Sequence, residues 1–118
     1  MAEDFEIRFY EGVISRSPNY IEALIPLAEL YTKAGLHAKG LEMDKRLAVL
    51  CPEDDTVFYN LGCSYALTGD KENALEALEK AVALGYRDSG HLQKDKDLKS
   101  LHEEDRYQKL VSRLAGKF

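Results

Sequence analysis

Apolar residues along this chain recur at spacings of three and four, the period of an amphipathic helix. The clearest stretch follows Asp54-Asp55, where Val57, Phe58, Leu61 and Tyr65 form one stripe. Thr68-Gly69-Asp70 interrupts it: a glycine can take the left-handed conformation that ends a helix, and an aspartate can cap the next. Ala74, Leu75, Leu78, Ala81 and Val82 then resume the helical spacing, with two alanines small enough for close packing. Earlier, Asn19-Tyr20-Ile21-Glu22 reads as a capping box ahead of Leu24, Leu27, Ala28 and Tyr31. Ala34-Gly35 closes that run, and Leu41, Leu47, Ala48 and Leu50 mark a partner helix. The pattern predicts helices over residues 20–34, 38–50, 55–68 and 71–84, and no β-sheet. Pro26 falls inside the first of them, where its missing N–H should bend or loosen a turn, either as a purely local bend or as a kink that widens an adjoining groove.

The pattern repeats. Pro18 and Pro52 stand 34 residues apart, and the same shift pairs Leu27 with Leu61, Tyr31 with Tyr65, Gly35 with Gly69, Leu41 with Leu75 and Asp54 with Asp88. The paired residues are those a repeated scaffold needs: large apolar, glycine and turn types.

Phe58-x-x-Leu61-Gly62-x-x-Tyr65, followed by Gly69, Ala74, Leu78 and Ala81, resembles the tetratricopeptide repeat. The second unit, 55–88, matches except that Tyr86 stands where a closing proline is common. In the first, 21–54, Gly40 and Asp44 replace the usual small and large apolar residues of the second helix. Phe9-Tyr10-Glu11-x-Val13-Ile14 before Pro18-Asn19 resembles the closing half of a preceding unit, so residues 1–18 read as a half-repeat helix. Downstream, Leu92, Asp95, Asp97-Leu98, Leu101, Asp105-Arg106-Tyr107 and Leu110 resemble the segment that ends many bacterial arrays of this family. Lys96 and Glu104 replace its two prolines. The resemblance implies one all-α domain over 1–118: a short right-handed superhelix of antiparallel helix pairs closed by a helical capping tail, 89–118. Such a tail has work to do, because the last unit of a stack exposes an apolar face.

Composition narrows the function. A chain of 118 residues with 45% hydrophobic and 31% charged side chains suits one folded domain. No apolar run approaches the ~20 residues of a membrane span, and the acidic start Ala2-Glu3-Asp4 is unlike a signal peptide, so the expected location is cytoplasmic. The net charge of −5 divides into −7 over residues 1–84 and +2 over 85–118. That balance argues against nucleic acid, which requires clustered Lys and Arg. It leaves room for an acidic neighbour or a second copy at the basic tail, where Arg106, Lys109, Arg113 and Lys117 form a stripe. Cys51 and Cys63 lack redox or zinc spacing and are expected as free thiols. His37, His91 and His102 are scattered and read as surface residues. Phosphate-binding glycine loops and nucleophile elbows are absent, so neither catalysis, a cofactor nor a metal is expected.

Function then falls to the inner face that the first helix of each pair presents in the family, a groove that holds a peptide or helix. The resemblance places Glu22, Ile25, Glu29 and Thr32 there from one unit, and Thr56, Tyr59, Asn60 and Cys63 from the next. Some relatives clamp a terminal carboxylate with Lys, Asn and Arg; only Asn60 fits that pattern. A mixed apolar and acidic lining suits an amphipathic segment carrying positive charge. The reading is an adaptor or assembly module that binds a protein partner, the alternative being self-association with the groove filled by another copy. Tyr59 divides evenly between an exposed anchor for a partner and a packing residue.

Overall fold

The computed structural model describes residues 2–116. It is helical throughout, without a strand among the described residues: α1 (Ala2–Arg16), α2 (Ile21–Lys33), α3 (His37–Leu50), α4 (Asp55–Leu67), α5 (Lys71–Ala83), α6 (Ser89–Lys94), a 3-10 segment (Lys96–Leu101) and α7 (Asp105–Leu114). No helix among them is long and apolar enough to cross a membrane. The four central helices lie within one residue of the bounds read from the sequence.

The chain divides into two compact units, Met1–Pro52 and Glu53–Phe118. In the first, α2 packs on α1 and α3. Leu24 and Leu27 are fully buried, with Ala23, Tyr31, Met43 and Leu47 around them. The Tyr31 hydroxyl donates to the Glu11 carboxylate and ties α2 to α1. The helix continues through Pro26. The expected capping box does not form: Tyr20 holds the cap position, one residue after Asn19, and its side chain makes no capping bond.

In the second unit α4 and α5 form a hairpin. Asp54 caps α4 by accepting from the N–H groups of Thr56 (3.0 Å) and Val57 (3.2 Å). Gly69, at φ 85°, turns the chain as Gly35 does at φ 80° one period earlier. Gly62 sets the spacing of the pair. A Cβ there would sit 2.8 Å from Leu78 Cδ2 and 2.9 Å from its Cγ, so α5 occupies the space that any other residue would need.

The tail keeps the same period. α2, α4 and α6 begin at 21, 55 and 89; α3, α5 and α7 begin at 37, 71 and 105. The tail is therefore laid out as a third pair whose first helix breaks at Asp95 into α6 and the 3-10 segment. The break lets it fold onto α4. Leu92, Leu98 and Leu101 are fully buried, Tyr107 and Leu110 nearly so, and they share one core with Leu75, Leu78 and Val82. Burying a leucine is worth ~1.5–3 kcal/mol. The hydroxyl of Tyr107 donates to the carbonyl of Leu92 at 2.9 Å, locking α7 to α6.

Candidate functional site

Two faces compete for the role of binding surface. The first lies on α2, where Glu22, Ile25 and Glu29 recur at helical spacing and are all exposed, Ile25 to 43%. Thr32 does not join them. It is half-buried, its hydroxyl donates to the Ala28 carbonyl at 3.1 Å, and it faces α3: a Cβ on Gly40 would lie 3.0 Å from its Oγ1. The open part of this face is thus one isoleucine between two carboxylates.

The second face, on α4, divides. Thr56 and Asn60 are exposed. Tyr59 and Cys63 are buried, to 4% and 7% exposure, which corrects the expectation that they line an open groove. The chain's own tail covers them. The Tyr59 hydroxyl donates to Asp95 Oδ2 at 2.6 Å, and the Cys63 thiol lies 3.6 Å from the same oxygen. The ring of Tyr59 stacks on Tyr86 with centroids 4.5 Å apart, and His91 tilts over it at 5.4 Å. His91 Nε2 is 3.4 Å from Asp95 Oδ2, so this histidine, exposed as expected, edges the cluster. The other oxygen of Asp95 accepts the N–H of Asp97 at 3.0 Å and caps the 3-10 segment. One aspartate therefore ends α6, starts the next turn and clasps α4.

Burial, reinforced by Cys63 and the bond to Asp95, drives the Tyr59 phenol far above its ordinary range. Burial likewise pushes the Cys63 thiol up, with Asp95 and Asp97 adding to the effect. Tyr86 is pushed up to about 12, again chiefly by burial. Ligand atoms of Cys63, Asp95 and Asp97 lie within 4.8 Å of one another. A metal would require the thiolate. This environment holds the protonated thiol, and Asp95 already serves Tyr59 and the 3-10 cap. The cluster reads as a hydrogen-bonded clasp.

The basic stripe of α7 is also partly engaged. Arg106 donates to both carboxylate oxygens of Glu79 (3.0 and 2.7 Å) and to Glu72 (2.8 Å), binding α7 to α5. Lys109 and Arg113 are exposed, and Lys117 lies outside the described residues. Cys51 and Cys63 are free thiols. His37 is half-buried, and its buried Nδ1 makes no hydrogen bond.

Comparison with known proteins places this geometry. The tetratricopeptide repeat family matches residues 56–84. Two solved structures of MamA proteins superpose with TM-scores of 0.80 and 0.76 at 26% identity. They cover 98% and 94% of this chain and 64% and 66% of their own. The 7-cyano-7-deazaguanine synthases of two Coxiella burnetii strains, Dugway 5J108-111 and RSA 331, are 34% identical over 86 residues. That alignment takes in 72% of this chain and 37% of theirs, so the chain spans a little over a third of the curated relatives it matches. The helical fold and the repeat are those of a protein-interaction scaffold, a type of fold that typically binds rather than catalyses.

Proposed function

We propose that this chain, a tetratricopeptide repeat protein, is a non-catalytic adaptor that holds a partner segment of basic, amphipathic character against the exposed face of α2. The observation that carries the reading is the Glu22–Ile25–Glu29 stripe. An isoleucine left 43% exposed between two exposed carboxylates offers an apolar contact with a negative rim. A peptide presenting one large apolar residue flanked by Lys or Arg satisfies both features. The two free thiols support a reducing, cytoplasmic setting.

The self-association reading would fill the same groove with another copy; the acidic α2 face would then take the exposed Lys109 and Arg113 of α7. Arg106 weakens that version, since Glu72 and Glu79 already hold it within the chain.

The test is selection of binders from a random peptide library displayed against the whole chain. Peptides enriched in Lys or Arg around an apolar residue are expected, and Glu22→Lys with Glu29→Lys should weaken them at least about tenfold, roughly the 1–3 kcal/mol of a well-placed contact. Binders of acidic or wholly apolar composition would refute the proposal, as would basic binders indifferent to the double change.

A further inference from the structure

Phe9 is 57% exposed on α1. The residues one and two periods on, Met43 and Ala77, are both buried, and so are Gly40 and Ala74, the counterparts of Glu6. Leu47 and Ala81, the counterparts of Val13, complete the pattern. α3 packs on α2 and α5 on α4, with Gly40 against Thr32 and Ala28 and with Ala74 against Gly62. On α1 the same positions are open at Glu6 and Phe9, both exposed, and half-covered at Val13. Whatever covers it by the same rules is a helix, apolar at the middle and lying antiparallel, as the members of each pair do.

The charges on this face select the occupant. Glu6, Phe9, Val13 and Arg16 follow one another at intervals of three, four and three, which places them in one stripe. Read in order, the stripe is acidic, apolar, apolar, basic. Turned end for end it complements itself: when Phe9 meets Val13, Glu6 meets Arg16. Glu6 and Arg16 are exposed, and neither has an ion-pair partner among the described residues. Gly12 sits beside the midpoint, and a Cβ there would meet nothing within 4 Å, so another backbone can approach closely.

We infer that two copies of this chain pair through α1. The helices lie antiparallel about a two-fold axis, with Phe9 of each against Val13 of the other and Glu6 against Arg16 twice over. Such an interface is isologous and closes at two copies. One short stripe buries less than a standard-sized interface, so the dimer belongs to the weak, concentration-dependent class. Its stripe shares no residue with the Glu22–Ile25–Glu29 face, so each proposal is tested by variants of its own.

Sedimentation equilibrium of the whole chain from about 1 μM to about 1 mM tests this. A reversible monomer–dimer equilibrium is expected. Phe9→Lys should raise the dissociation constant more than about tenfold, and Glu6→Arg or Arg16→Glu alone roughly tenfold, by setting like charges opposite one another. The double variant E6R/R16E restores the complementarity and should recover the wild-type constant. Circular dichroism accompanies each variant, and recovery in the double variant separates lost pairing from lost folding. A monomer throughout the range, an assembly larger than two, indifference to Phe9→Lys, or no recovery in the double variant would each overturn the inference.

Discussion

Replacing Tyr59 by Phe removes one oxygen from the clasp and nothing else. The ring keeps its place on Tyr86, so no cavity opens. What is lost is a 2.6 Å hydrogen bond from a buried phenol to the carboxylate of Asp95. Hydrogen bonds to charged groups contribute ~1.5–3 kcal/mol. Asp95 retains its contacts with Cys63 and His91, which places the cost toward the middle of that range, about 2 kcal/mol. The loss should fall on the tail's grip on α4, which can be read locally. Cys63 lies beneath the same contact at 7% exposure, so it reacts with a thiol reagent only when the tail opens. In a Cys51→Ser background Cys63 is the sole thiol. Under native conditions, where opening and closing outpace the reagent, Tyr59→Phe should speed its labelling up to about 30-fold, the factor that ~2 kcal/mol implies. Helical content should stay unchanged. An unaltered labelling rate with an unaltered denaturant midpoint would show that the Tyr59–Asp95 contact contributes nothing to closure, and the clasp would be refuted. Tyr59→Ala is a different experiment. It empties a buried aromatic site at ~3–5 kcal/mol and should cost folding as well as closure.

Further outcomes follow from the same contacts. Ending the chain after Gly85 removes Leu92, Leu98 and Leu101, each worth ~1.5–3 kcal/mol of burial, so the shortened chain should aggregate or lose cooperative melting; an unchanged melt would show the tail to be an appendage. Because burial raises the folded-state pKa of Cys63 above its ordinary 9.0, the stability tied to the neutral thiol is complete below about pH 9 and falls above it as the unfolded chain ionises. Cys63→Ala should flatten that alkaline decline in a urea titration, and an equally steep decline would remove Cys63 as its source. The bonds from Arg106 hold Glu79 below the ordinary carboxylate range, so their contribution is present above that range and is lost as pH falls through the folded-state value. The pair is partly exposed, so solvent screens it and its contribution is small. Glu79→Gln should remove this acid sensitivity from the amide exchange of α7, and an unchanged acid profile would contradict the assignment. Gly62→Ala should destabilise the second unit by about 1–2 kcal/mol, the strain against Leu78 outweighing the gain in helix propensity; a stabilised variant would show that Leu78 yields freely.

The helices were legible because their signals are local. The three-and-four spacing, Gly35 and Gly69 at the turns, and Asp54 and Asp70 at the caps each act within a few residues, and the 34-residue period reinforces them. The faces of α4 were less legible. Spacing sets Tyr59 and Cys63 on the stripe beside Phe58, Leu61 and Tyr65, but whether that stripe meets solvent depends on what folds back over it. Asp95 decides this from 36 residues further on. Two signals pointed there: Asp88 stands one period after Asp54 and caps α6 as Asp54 caps α4, and an aromatic residue, Tyr86, fills the common proline position. Taken together they mark 89–101 as a broken first helix of a third pair. Thr32 was misplaced for a similar reason. Gly40 lacks the side chain that would keep α2 and α3 apart, and Thr32 turns into the space. His91 is the surface residue its spacing suggests, and an aspartate four residues on holds it at the edge of the clasp.

The binding face proposed on α2 takes a basic, amphipathic segment. It is tested most directly by nuclear magnetic resonance of the isoleucine methyl groups while the whole chain is titrated with a short helical peptide bearing one leucine between lysines. Saturable shifts are expected at Ile25, with Ile7 in the buried face of α1 unmoved, and the shifts should be lost in Glu22→Lys/Glu29→Lys. Shifts that bypass Ile25, or that persist at full strength in the double variant, would contradict it.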